Sequence, residues 1–125
     1  MGELFDKREV LREVISALKN DIEPEKILAR DLDDFPNPIK ISGKYRSSGF
    51  IPDLAVIYEE SIDVYEIETD GNINLEKWQV MQSYATKCNG NLYLVVPEHV
   101  LDNVKNVLAN YKIDAGLLYF QARIT

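Results

Sequence analysis

Apolar residues recur along this chain with two different periods, and the switch between them separates helices from strands. Leu4, Leu11, Val14, Ile15 and Leu18 fall within an arc of roughly 100° at 3.6 residues per turn, which predicts an amphipathic helix over residues 4–19. Pro24, a favoured first-turn residue, opens a second short helix through Ile27 and Leu28. Residues 33–38, with Pro36 and Pro38, read as a loop, because each proline biases its predecessor away from helix. The period then moves toward two. Ile39, Ile41 and Tyr45 mark a first strand that ends in a Ser47-Ser48-Gly49 turn, Leu54 to Tyr58 a second, and Ile62 to Thr69 a third. Asp70-Gly71-Asn72 stops the third strand. Leu75 to Cys88 reads as a helix that leaves through Asn89-Gly90. The continuous apolar run Leu92 to Val96, ended by Pro97, fits a strand buried on both faces. Leu101, Val104, Leu108 and Tyr111 mark one more helix, and Leu117 to Phe120 a last strand.

The predicted order is therefore α-α-β-β-β-α-β-α-β, a single α/β domain over residues 1–125 with no repeat, low-complexity segment or linker. Hydrophobic residues make up 46% of the chain and charged residues 28%, a globular balance. No apolar run approaches the ~20 residues of a bilayer span, and the acidic, early-polar segment Met1 to Asp6 does not read as a secretory signal. The one cysteine, Cys88, has no partner for an internal disulfide, so a cytoplasmic protein without membrane partners is expected.

A formal net charge of −7 argues against a nucleic-acid binder until its distribution is considered. Residues 35–52 carry Lys40, Lys44 and Arg46 and no acid, whereas residues 53–76 carry eight acids and no base. A carboxylate cluster thus stands beside a cationic approach. If the second and third strands form a hairpin with Glu60-Ser61 as its turn, Asp53 faces Glu68, Ala55 faces Glu66, and all three acids share one side of the sheet. Such carboxylates repel one another unless a cation neutralises them, and oxygen ligands suit Mg²⁺ or Mn²⁺. On spacing alone, solvated acids on a half-exposed hairpin explain the pattern equally well.

Pro52-Asp53 followed by Glu66-Ile67-Glu68 on the next strand resembles the signature of the PD-(D/E)XK nucleases, the restriction endonuclease-like superfamily. The order of elements is similar over most of the chain: an N-terminal helix, a three-stranded meander carrying the acids, a helix, a buried strand, then helix and strand. The resemblance implies a three-layer core with a mixed sheet flanked by helices. It also implies that Asp53, Glu66 and the Ile67 carbonyl hold Mg²⁺ or Mn²⁺ for cleavage of DNA. Glu68 stands where the family usually has lysine. Lys77 lies within the apolar arc of its helix, in the first turn, and is a candidate replacement; the plainer reading is that its stem packs and its ammonium reaches water. Glu9 and Glu13 lie opposite the apolar stripe of the first helix and read as solvated. Lys40, Lys44 and Arg46 would approach the DNA backbone, and so small a domain would engage a duplex as a homodimer.

Three functions stay open on this reading: a metal-dependent deoxyribonuclease, a catalytically lapsed module of the same fold that binds protein or nucleic acid, and an unrelated α/β sandwich with structural acids. With His99 as the one histidine, no histidine metal cluster or triad can be assembled, and Ser42-Gly43-Lys44 is no phosphate loop.

Overall fold

The computed structural model describes residues 6–18, 24–42, 49–69 and 73–121. Three helices, α1 (Lys7–Leu18), α2 (Leu75–Lys87) and α3 (Leu101–Asn110), accompany seven strands. The strands are β1 (Lys26–Ala29), β2 (Ile41–Ser42), β3 (Gly49–Phe50), β4 (Leu54–Ile57), β5 (Ile62–Ile67), β6 (Leu92–Pro97) and β7 (Gly116–Phe120). Five of them form a mixed sheet in the order β1-β4-β5-β6-β7, while β2 and β3 pair separately. The pairs β1·β4 and β4·β5 are antiparallel, and β5·β6 and β6·β7 are parallel. The chain is an α/β domain, and no helix of the described residues is long and apolar enough to cross a membrane.

Each face of the sheet has its own core. Val10, Leu11 and Ile15 of α1 pack with Ile27, Leu54, Val56, Tyr65 and Ile67 on one side. On the other, Trp78, Met81 and Ala85 of α2 and Val104 of α3 pack with Val64, Leu92, Leu94 and Val96. Strand alternation sorts these residues: even positions of β5 and β6 face α2, while Tyr65, Ile67 and Val95 face α1. Covered on both faces, β6 can be apolar throughout, as its sequence requires.

Two expectations are corrected. The segment after Pro24 is not a helix but the strand β1, which adds to the free edge of β4 with Ile27 opposite Val56 and Ala29 opposite Leu54. Lys26-Ile27-Leu28-Ala29 has respectable helix propensity, but backbone pairing and burial of Ile27 and Ala29 override it. The expected strand from Ile39 shrinks to Ile41–Ser42 and leaves the main sheet; Ile39 is 63% exposed, and Ile41 is buried on the α2 side. Tyr45 lies outside the described residues. The meander that leads into α2 is accordingly β1-β4-β5.

The hairpin register also differs. Ile57 pairs with Ile62 and Leu54 with Tyr65, and the Tyr58 N–H donates to the Ser61 carbonyl at 2.8 Å. The turn is thus Glu59-Glu60, both exposed, which sends two acids to water and matches Ile57 with Ile62 rather than Glu59 with Ile62. Since each partner moves by two residues, the faces are preserved.

The exit of α2 proceeds as its sequence indicates. Asn89 takes a left-handed φ of 60°, and the Gly90 N–H donates to the Ala85 carbonyl at 2.8 Å. Gly90 lies so close to the Ile62 carbonyl that a Cβ there would overlap it. Gly90→Ala should therefore force α2 and β5 apart and cost about 1–3 kcal/mol, read as a fall in the urea midpoint. An unchanged midpoint would show that the junction yields without loss.

Candidate functional site

Buried charge concentrates at one end of the sheet. Among the described residues the buried charged side chains are Asp53, Glu66 and Glu68, at 3%, 1% and 9% exposure. Asp53 precedes β4, and Glu66 and Glu68 lie at the carboxyl end of β5, the end at which open α/β sheets commonly place their sites. Extending the observed register sets Asp53 opposite Glu66, not opposite Glu68 as the Glu60-Ser61 turn would require.

Backbone amides fix two of the carboxylates. The Asp53 N–H donates to Glu66 Oε1 at 3.1 Å, and the Ile67 N–H donates to Asp53 Oδ2 at 2.9 Å. This reciprocal pair ties the start of β4 to the end of β5 just where their own ladder stops. Glu68 is held by its N–H to the Val95 carbonyl at 2.9 Å and by the indole of Trp78, which donates to Oε2 at 3.3 Å.

The remaining oxygens meet lysines. Lys77 Nζ stands 2.8 Å from Glu66 Oε2 and 3.6 Å from Glu68 Oε1, and Lys7 Nζ stands 3.0 Å from Asp53 Oδ1. Lys77 therefore joins the carboxylates rather than pointing its ammonium to open water; its side chain is 19% exposed. The first turn that carries it is capped by Asn74, whose Oδ1 accepts the Lys77 N–H at 3.1 Å. Asp6 does the same for α1, accepting the Arg8 N–H at 2.9 Å. Each helix thus aims a lysine from its N-terminal turn at the same cluster, one from each face of the sheet.

Charge at the cluster is not balanced. Burial, then the neighbouring Asp53, push the Glu66 carboxyl up to about 7, against the pull of Lys77. Burial opposes the charge of Lys77, but Glu66 and Glu68 outweigh it and hold the ammonium above its ordinary value. Lys77 is thus a charged hydrogen-bond donor at neutral pH. Glu66 retains its proton to a pH at which a solvated carboxylate has lost it, which marks a shortage of positive charge.

The donor set suits a hard divalent cation in kind. Asp53 Oδ1 and Glu66 Oε2 are the oxygens that the backbone leaves free, and both already face cations. By strand alternation the Ile67 carbonyl faces the same edge as its N–H. Among the described residues, no group of three or more His, Cys, Asp or Glu side chains forms a ready metal cage.

Lys40 is exposed in the segment before β2, and Lys44 and Arg46 lie outside the described residues. Glu9 and Glu13 are exposed on α1, and Arg12 is engaged with Asp34 through two 3.1 Å hydrogen bonds. Lys7 was not anticipated. Its signal is local: a lysine as first residue of a helix opposes the helix dipole, an arrangement that costs about 0.3–1 kcal/mol unless something else holds the charge.

Fold and site together define an α/β domain with a partly neutralised acid–lysine cluster where the start of β4 meets the carboxyl end of the central strand β5. The chain matches no protein-family model, no curated protein and no solved structure.

Proposed function

We propose that this chain is a divalent-metal-dependent nuclease of the PD-(D/E)XK type that cleaves DNA phosphodiester bonds. The observation that carries the reading is Lys77 at 2.8 Å from Glu66 and 3.6 Å from Glu68. The motif resemblance lacks a lysine at Glu68, and α2 supplies one to the same carboxylates. The element order supports it as well. With β1 as its first strand, the meander β1-β4-β5 follows α1 and precedes α2 and the buried β6, as the resemblance implies.

Asp53, Glu66 and the Ile67 carbonyl would hold Mg²⁺ or Mn²⁺. When bound, such an ion supplies Lewis-acid stabilisation of phosphate oxygens and a more acidic water. The residues divide the remaining work by charge. Lys77, protonated at neutral pH, orients the attacking water or a phosphate oxygen as a donor and is not the base. Glu68 is the acceptor for the proton of that water, held in position by Trp78. A duplex would be cut by a homodimer, one site for each strand.

The test is incubation of the protein with Mg²⁺, and separately with Mn²⁺, on single-stranded, duplex and branched DNA, beside Asp53→Ala. Ion-dependent cleavage that Asp53→Ala abolishes is expected. Absence of cleavage on all three substrates with both ions would sink the proposal.

A second reading has its own observation. Lys7, 3.0 Å from Asp53, is a second cation on the cluster, and with Lys77 it offsets much of the carboxylate charge without any metal. On that reading the site has lapsed into a fixed ion-pair network, and the domain binds protein or nucleic acid. Neither divalent ion would then raise the melting temperature.

A further inference from the structure

Immediately beside Asp53 a cleft of about 540 Å³ opens between the start of α1 and the turn after β1, lined by Asp6, Lys7, Arg8, Leu11, Arg30, Asp31 and Asp53. Its size falls within the range of small-ligand clefts, and it adjoins the carboxylate cluster through Asp53 itself. Three of the lining side chains are cationic. Arg30 is fixed relative to the cluster by its backbone, since its N–H donates to the Asp53 carbonyl at 2.9 Å. The next residue, Asp31, adopts a left-handed φ of 63° and donates its N–H to Asn37 Oδ1 at 3.2 Å, so the turn that presents Arg30 is pinned on both sides. Arg8 stands one residue beyond Lys7 at the Asp6-capped start of α1.

The two arginines of this cleft, unlike Lys7, are not tightly committed. Arg8 lies 3.6 Å from Asp6 and Arg30 lies 3.9 Å from Asp31, with both arginines about half exposed or more. Exposed pairs of that length contribute little, less than a guanidinium gains on a phosphate. The Arg30 contact to the Ile51 carbonyl, at 3.4 Å, is also long. Two guanidiniums at the rim of a cleft whose floor is Asp53 suit a run of phosphodiester groups, with one phosphate over the carboxylates and its neighbour on the rim.

We infer that Arg8 and Arg30 are the residues that hold the sugar–phosphate backbone of the nucleic acid, on the α1 side of the cluster rather than on the segment that carries Lys40. The inference rests on the nuclease reading and deepens it. Duplex binding is measured by fluorescence anisotropy across a series of salt concentrations for the wild type, Arg8→Ala, Arg30→Ala and Lys105→Ala. The last removes an exposed charge from α3, which packs on the opposite face of the sheet. Circular dichroism verifies that each variant is folded. Arg8→Ala and Arg30→Ala should each weaken binding several-fold at about 0.1 M salt and reduce the slope of log K against log salt by about 1, while Lys105→Ala tracks the wild type. Slopes unchanged by both arginine substitutions, in a wild type that binds and cuts, would overturn the inference and leave the nuclease reading standing. So would an equal loss in Lys105→Ala, which would mean that only net charge is felt. A wild type that neither binds nor cuts DNA would remove the nuclease reading itself, and this inference with it.

Discussion

Replacing Lys77 with alanine should lower ion-dependent DNA cleavage at least about a hundredfold, the scale of a lost positioned electrostatic donor. The protein should nonetheless fold. A buried ion pair broken from one side typically costs about 3–5 kcal/mol because the partner charge is stranded. Here Glu66 escapes that penalty by keeping its proton at neutral pH, because its value, about 7 with Lys77 present, is freed from that lysine's downward pull. Single-turnover cleavage at saturating ion, with thermal melting alongside, separates loss of chemistry from loss of fold. Lys77→Arg should recover only part of the rate, because a planar guanidinium cannot sit as a compact ammonium 2.8 Å from Glu66 and 3.6 Å from Glu68. A wild-type rate in Lys77→Ala would dismiss Lys77 from the mechanism and pass its role to Lys7.

Without divalent ions, the wild type should lose stability as pH rises from 4.5 to about 7, and Glu66→Gln should remove most of that loss. The ordinary carboxyl value is 4.5, whereas Glu66 in the fold is pushed up to about 7, first by burial and then by Asp53. Between those values the folded chain binds the extra proton, so stability falls as pH rises. The contribution is fully present below the unfolded value and lost once pH has passed the folded one, for a total on the order of 3 kcal/mol. Glutamine keeps an oxygen for the Asp53 N–H and never ionises. Urea midpoints in EDTA across this pH range, for wild type and Glu66→Gln, provide the measurement. Parallel slopes for the two proteins would show that the charge shortage is relieved at some other group.

Much of this was legible from residue order. The 3.6-residue stripe of Leu11, Val14, Ile15 and Leu18 gives α1 its buried face, and the unbroken run Leu92 to Val96 gives the strand covered on both sides. The three acids were legible because strand alternation is insensitive to a two-residue register change. The turn itself was not, since neither Glu-Ser nor Glu-Glu is a preferred hairpin turn, and the pairing of Ile57 with Ile62 decides between them. β1 was illegible for a different reason. Ala29 and its neighbours favour a helix locally, and only the open edge of β4, distant in sequence, selects the strand. That error hid Arg30, whose place beside Asp53 exists only through the β1·β4 edge. Lys77 could be anticipated because its arc on α2 is local. Lys7 contacts Asp53, an acid remote from it along the chain, and local spacing cannot express that.

The two lysines reach the acids from helices that belong to separate hydrophobic layers, α1 above the sheet and α2 below it. The cluster therefore works as a clasp. Its partial neutralisation exists only while both layers are docked, and detachment of either helix takes one of the two lysines away from the acids at the sheet end. No fragment carrying the meander and α2 alone would hold the complete set of charges, although the motif acids and Lys77 all lie within it.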